Sequence, residues 1–269
     1  MTTSDSRTPD LWTTAVVDAG GRYGVHPTWR GYEAPLDYVM FEPEPNEAAR
    51  LAGKYAARDD ITVEAKALGA VPDSSLTLWI TAHRGYVGTT KPNPDSLWFG
   101  EVRKDEGTVE GSIDVPSTTL DAVFADRGRR IDFLKIDVEG EELAVMRGGA
   151  KALDRVLAMR IEVQFDDSFS SQTASDIFRH AIDERDFRLM RTRLRRQGSA
   201  PELSRRRWEL WGALRLRRCL RAETRNSRRL GRRGSGRGAH QARRFRFAQQ
   251  HGRLFSGLPE QADGNRRLE

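Results

Sequence analysis

A single cysteine, Cys219, stands in the 269 residues, so the chain can form no internal disulfide and no cysteine-based zinc cage of its own. No stretch approaches the ~18 consecutive apolar residues of a membrane span. The first residues, "MTTSDSRTPDLWTT", lack the basic segment and apolar core of a secretory signal. Together these absences predict a soluble, cytoplasmic protein. The G-x-G-x-x-G spacing of dinucleotide sites is also missing, which weighs against NAD and FAD. From Arg191 to the end Val, Ile, Lys and Tyr are absent, and with them most of the β-branched and aromatic material a core needs.

What the chain has is charge, unevenly spread. From Arg191 onward there are 23 Arg, no Lys and 6 acidic residues, a formal charge of +17, which leaves −11 for residues 1–190. The overall +6 is a cancellation between an acidic body and a basic tail. Between 191 and 253, 21 residues are Arg, and "RRLGRRGSGRG" has neither a helical nor a strand period. Such a composition fits a GC-rich gene read out of frame, or else a polybasic arm for nucleic acid or an anionic membrane surface. Either origin predicts a poorly structured segment. The expected organisation is an extension over 1–11, one domain over 12–190, and an Arg-rich tail over 191–269.

Within the domain, strand patterns alternate with helical ones, which predicts βαβ units and a doubly wound, mostly parallel α/β sheet. "TAVVDAG", "DYVMFEPEP", "ITVEAKALG", "SSLTLWITA", "IDFLKIDV", "LAMRIEVQF" and "FRLMRTRL" read as strands. Residues 26–34 have room only for a short helix between Pro27 and Pro35. "NEAARLAGKYAAR" is the clearest amphipathic helix, with Asn46 as the expected N-cap and Ala48, Leu51, Ala52 and Tyr55 on one face. "TTLDAVFAD", "EELAVMRGGAKAL" and "SQTASDIFRHAIDERD" read as further helices, and His83–Ser112 as a long loop or lid.

The first strand ends in D-x-G-x-x-x-G, at Asp18, Gly20 and Gly24, and so opens the first crossover, beside the carboxyl ends where such sheets bind ligands. Glu42 ends the second strand, where a carboxylate accepts hydrogen bonds from both hydroxyls of a ribose. A plain turn and a solvated strand-end acid are the bland alternatives for the two features.

The segments "DAGGRYG", "FEPEP", "IDFLKIDVEGEELAVMRGGAKAL" and "RIEVQF", in this order, resemble the FkbM-type family of S-adenosylmethionine-dependent methyltransferases. "LKIDVEGEE" is their most specific part, and the likeness spans about residues 12–190. The resemblance implies a Rossmann-like methyltransferase fold and S-adenosylmethionine as cofactor. It implies that Asp18, Gly20 and Gly24 wrap the amino-acid portion of the cofactor, that Glu42 takes the ribose, and that Ala67 and Leu68, at the end of the third strand, lie near the adenine. Family members often follow the glycine loop with a longer apolar helix, so "VHPTWRGYEAP" implies a truncated first crossover.

Chemistry is expected at the ends of the next strands. Lys135 and Asp137 are two apart and share a face. Asp137 is the first choice for orienting or deprotonating an acceptor, with Glu139 in the following turn and Glu162 at the end of the next strand. Lys135 either joins in catalysis or pairs with a carboxylate to hold the sheet end. Asp137, Glu162 and Gln164 also have the oxygen donors for Mg²⁺, although a divalent metal is not expected. Glu142 reads as a helix N-terminal acid rather than a site residue. His26, before a proline in a turn, reads first as a surface residue and second as a base, and Trp79, Tyr86 and Trp98 are candidate walls of an acceptor pocket, Trp79 being equally plain core. The expected reaction is O-methylation of a small-molecule hydroxyl, on a sugar or secondary metabolite. The alternatives are nucleic-acid methylation aided by the basic tail and an inactive cofactor-binding protein.

Overall fold

The computed structural model describes residues 13–126, 128–169, 172–195 and 207–212. The chain divides into two units, Met1–Arg218 and Cys219–Glu269, and the described residues all belong to the first. Its strands are β1 (Thr14–Ala19), β2 (Leu36–Phe41), β3 (Ile61–Glu64), β4 (Ala67–Leu68), β5 (Ser74–Thr81), β6 (Val109–Thr118), β7 (Phe133–Ile136), β8 (Ala158–Val163), β9 (Leu189–Arg195) and β10 (Arg207–Gly212). The main sheet has the order β3-β2-β1-β7-β8-β10-β9. β1 pairs in parallel with β2 and β7, β2 with β3, and β7 with β8, while β10 runs antiparallel between β8 and β9. The doubly wound, mostly parallel sheet is therefore as expected.

Strand order reverses at β1, with β2 and β3 on one side and β7 and β8 on the other, so the ligand crevice of such a sheet falls at the carboxyl ends of β1 and β7. A second sheet, β4-β6-β5, is built on the β5–β6 hairpin.

The helices are shorter than their sequence patterns. α1 spans Pro45–Lys54, and its N-cap is Glu44, not Asn46: the Glu44 carboxylate accepts the N–H groups of Asn46 and Glu47 at 3.1 and 2.9 Å. Pro45, which lacks an N–H and has a fixed φ, suits the first helical position and moves the cap two residues back. Ala48 and Leu51 are buried as expected, but Ala52 is exposed. α2 spans Glu142–Arg147 and α3 Ala174–Phe178, the latter continued by a wide turn over Arg179–Glu184. The first crossover is truncated to one 3₁₀ turn, Pro27–Trp29, in which Trp29 packs edge-on against Phe133 at 5.1 Å. One indole thus covers part of the sheet face that a longer helix would cover.

The expected domain end at 190 falls inside β9, and β10 lies in the segment assigned to the tail. Arginine counts over a long window hide a six-residue strand, "RWELWG", whose own alternation is of period two. The remainder of the expected tail, and the 1–11 extension, lie outside the described residues.

Every residue of β1 is buried, including Asp18. A carboxylate there needs strong partners. Lys135 Nζ donates to Asp18 Oδ1 at 2.9 Å and the Tyr38 hydroxyl to Oδ2 at 2.5 Å. In register, Asp18 faces Met40 on one side and Lys135 on the other, so the pair staples β1 to β7 at its centre. Burial alone would lower the Lys135 pKa, but the charges of Asp18 and Asp137 outweigh it and hold the ammonium protonated. Burial pushes the Asp18 carboxyl up, with Lys135 and the Tyr38 hydroxyl opposing.

Removing one partner of such a pair strands the other, at a cost of roughly 3–5 kcal/mol. Lys135→Met should therefore lower the unfolding free energy in urea by about that amount. Adding Asp18→Asn in the same chain should recover a large part of the loss. A double variant no more stable than the single one would show that the ion pair is not what holds β1 to β7.

Candidate active site

The glycine loop follows β1. Gly20 and Gly24 lie at φ +86° and +78°, in the left-handed region that side chains disfavour. Both positions are also closed by protein: a Cβ on Gly20 would lie 1.8 Å from the Asp137 carbonyl oxygen, and one on Gly24 2.4 Å from the Tyr55 hydroxyl. The same Tyr55 hydroxyl accepts the Val25 N–H at 3.0 Å, and Gly20 and Gly21 donate to the Phe41 carbonyl at 3.2 and 2.9 Å. The glycines thus let the loop fold tightly onto β2, α1 and the end of β7.

Glu42 follows β2 beside this loop and is buried. Its Oε1 accepts the Glu44 N–H at 3.0 Å and lies 4.0 Å from the Arg22 guanidinium. Its Oε2 has no hydrogen-bond partner among the described residues, an acceptor suited to a ribose hydroxyl. Burial pushes the Glu42 carboxyl up to about 7, against the Glu44 N–H and Arg22, which both favour the charged form. The loop and Glu42 could therefore hold the ribose and amino-acid parts of S-adenosylmethionine.

Across the crevice, Lys135 Nζ reaches the Gly20 carbonyl at 3.2 Å and lies 3.4 Å from Asp137 Oδ2, so one ammonium links the glycine loop to the end of β7. Oxygens of Asp137, Glu139 and Glu162 come within 4.8 Å of one another, a grouping that could hold a metal ion. The expected convergence of these carboxylates is present in the geometry. Asp137 is half-buried, while Glu139 and Glu162 are buried. Gln164 lies just beyond β8, half-buried.

Glu139 reaches its place through a strained turn, with φ +57°, followed by Gly140 at φ +106°. Glu142 holds that turn: its Oε1 accepts from Val138 N at 3.0 Å, its Oε2 from Gly140 N at 3.2 Å, and Gln172 Nε2 donates to it as well. Burial pushes the Glu142 carboxyl up to about 7 despite these donors. Its role is local, as expected.

The segment between β5 and β6 closes over this turn. A Cβ on Gly88 would stand 3.0 Å from Glu139 Cβ, and one on Gly140 2.7 Å from Phe169 Cβ. Thr90 Oγ1 donates to Glu141 at 3.0 Å, and Asn93 N to the Ser168 carbonyl at 2.8 Å. Tyr86, Trp98, Phe99 and Phe169 form one buried aromatic cluster, with Tyr86–Phe99 and Phe99–Phe169 edge-to-face at 5.2 and 5.5 Å. The expected lid is therefore a packed roof, and Tyr86 and Trp98 are its core rather than pocket walls. Trp79 is half-buried, with Lys91 Nζ 5.1 Å from its ring centroid.

Two further expectations are corrected. The third strand ends at Glu64, so Ala67 and Leu68 do not end it; they form β4 in the second sheet, with side chains buried in two hydrophobic clusters. The break falls at Ala65–Lys66, inside what reads as one alternating run. His26 is not poised as a base: its Nδ1 accepts the Thr28 N–H at 3.2 Å and its Nε2 lies 2.5 Å from an Arg160 guanidinium nitrogen. Sequence reasoning missed Tyr38, Tyr55, Arg22 and Arg160. A tyrosine inside a buried strand is the one signal available, since its hydroxyl must find a partner.

The methyltransferase FkbM domain matches residues 18–199. No curated protein sequence matches the chain. Among solved structures, the chain is similar to an rRNA methylase from Streptococcus thermophilus, at 10% identity and TM-score 0.41, over 75% of this chain and 87% of that one. It is also similar to Sp1610 of Streptococcus pneumoniae, described as a putative tRNA (m1A22) methyltransferase, at 8% identity and TM-score 0.40, over 91% and 94%. The domain match begins at the buried Asp18, runs through the strand-end carboxylates and ends just past β9, and on it the chain belongs to the FkbM methyltransferase family.

Proposed function

We propose that the chain transfers a methyl group from S-adenosylmethionine to a hydroxyl of a small molecule. The observation that carries this reading is the convergence of Asp137, Glu139 and Glu162 at the ends of β7 and β8, beside the glycine loop. When bound, the cofactor supplies an electrophilic methyl on a sulfonium. Glu42 accepts the ribose hydroxyls and the loop from Gly20 to Gly24 encloses the amino-acid part. Asp137, the most exposed of the three carboxylates, would orient the acceptor hydroxyl and take up the proton it loses on methylation. Glu139 and Glu162 stand behind it. The aromatic roof keeps water from the reacting atoms.

Calorimetry with S-adenosylmethionine, followed by turnover on a panel of hydroxylated small molecules, tests this. Asp137→Asn keeps the shape and removes the charge, and should leave cofactor binding near normal while lowering turnover by roughly 10²-fold. Equal turnover in the Asn variant would remove Asp137 from the chemistry. Chelation with EDTA should leave turnover unchanged, whereas a loss restored by Mg²⁺ would make the three carboxylates a metal centre. Methylation of RNA or DNA in place of the panel, weakening steeply with salt, would move the acceptor to nucleic acid.

The ribose role of Glu42 carries a pH dependence of definite sign. Hydrogen bonds from two hydroxyls favour the carboxylate, and the free carboxyl is pushed up to about 7. Binding should therefore release up to about one proton near pH 6.5, and affinity should rise with pH through 7 and level off above about 8. Calorimetry in buffers of different ionisation enthalpy measures the release. Glu42→Gln should abolish it and weaken binding by roughly 1–3 kcal/mol. A release that persists in Glu42→Gln would show that another group titrates.

A further inference from the structure

Arg22 lies inside the glycine loop, between Gly20 and Gly24, and its side chain is 18% exposed. Its guanidinium stands 4.0 Å from Glu42 Oε1, close enough for charge to act and too far for a hydrogen bond. The backbone of Arg22 is held in turn: Arg50 donates to its carbonyl at 3.3 Å, and Glu47 grips Arg50 at 2.8 and 2.5 Å.

The other charged groups around Glu42 are accounted for. Glu44 spends its carboxylate on the N–H groups of Asn46 and Glu47 at the start of α1. Glu47 is paired with Arg50, so these two acids and one base contribute only weakly opposed charges to Glu42. Arg22 is the cation left facing the buried carboxylate, and it approaches Oε1, leaving Oε2 without a partner among the described residues.

We propose that Arg22 is a positioning residue for the nucleoside: its guanidinium favours the ionised form of Glu42, the form that accepts two ribose hydroxyls, without occupying the oxygen that receives them. The inference rests on Glu42 as the ribose acceptor. It adds a reason for an arginine in a loop whose other members are three glycines and the exposed Tyr23. A protonated Glu42 would turn one oxygen into a donor and accept more weakly than the carboxylate. The same long-range contact fits a site that must admit a ligand: a direct Arg–Glu bond would have to break first.

Two measurements test the proposal, and the first needs no ligand. In the free protein, the side-chain carboxyl ¹³C signal of Glu42, assigned by its loss in Glu42→Gln, should titrate near 7. In Arg22→Gln the midpoint should rise by about half a pH unit or more, and in Arg22→Lys it should return most of the way. An unchanged midpoint in Arg22→Gln overturns the proposal. In the second, adenosine is titrated calorimetrically between pH 6 and 8.5. Arg22→Gln should bind adenosine more weakly than wild type, by about two-fold or more, at pH 7 and about equally at pH 8.5, because high pH ionises Glu42 without help. A loss that is the same at every pH, or one seen with S-adenosylhomocysteine but not with adenosine, would show that Arg22 acts as plain structure or on the amino-acid end, and would overturn it. If wild type binds neither ligand, the reading of the site as a cofactor pocket fails, while the carboxyl titration still decides what Arg22 does to Glu42.

Discussion

Asp18 is a carboxylate in a strand buried on both faces, and the rest of the site depends on how it is accommodated. Lys135 and Tyr38 come from the strands on either side, so the charge is met across the sheet rather than along the chain. Because Lys135 Nζ also bonds the Gly20 carbonyl and lies near Asp137, the same ammonium fixes the start of the glycine loop against the end of β7. A buried ion pair of this kind is poor evidence of net stability, since hydrophobic residues of equal volume would do as well. What it gives is position. Methyl transfer is mainly a problem of alignment, and under the proposed roles a pair that joins the glycine loop to the end of β7 would link the cofactor side of the site to Asp137 directly.

The glycines of the loop have a double meaning. Glycine after a first strand is ordinarily read as room for a ligand, and at Gly20 and Gly24 the positive φ and the absent side chain are indeed required. Yet the atoms that would collide with a side chain are the Asp137 carbonyl and the Tyr55 hydroxyl, which belong to the protein. The spacing therefore records how closely the loop packs on its neighbours. A loop held in this way is preorganised, which lowers the ordering cost of binding.

Much of this was legible in the sequence, and the parts that were not share a physical cause. Periodicity placed β1, β2, β7 and β8, because buried parallel strands read as short apolar runs, and the spacing from Asp18 to Glu42 followed from one crossover. Convergence of Asp137, Glu139 and Glu162 could be inferred from strand ends alone. Local chemistry was harder: Glu44 displaced Asn46 as the cap because Pro45 fits the first helical position, and a two-residue break turned Ala67 and Leu68 from a strand end into β4 of another sheet. Long-range partners left no local trace. Nothing near Tyr38 in the sequence points to Asp18, and nothing near Arg22 points to Glu42, since those contacts exist only after β1 and β2 are side by side. The six residues of β10 were lost for the opposite reason, a strong compositional signal over a long window masking a short alternation.

Charge bears finally on the proposed acceptor. The domain through residue 190 carries −11, and three of its carboxylates meet at the strand ends. A sulfonium entering such a crevice is attracted by it, whereas a polyphosphate chain drawn along the same acids is repelled, at several kT where low-dielectric walls focus the field. Lys135 does little to change this, because its charge is already divided among Asp18, Gly20 and Asp137. A neutral polyhydroxyl or a cationic acceptor meets no such barrier, and its hydroxyls have carboxylate oxygens to donate to. Nucleic acid would have to bring its backbone in along another surface and present only the reacting group to Asp137. The balance of charge thus weighs for the proposed acceptor, neutral or cationic, over a polyanion in the crevice that the sheet topology locates.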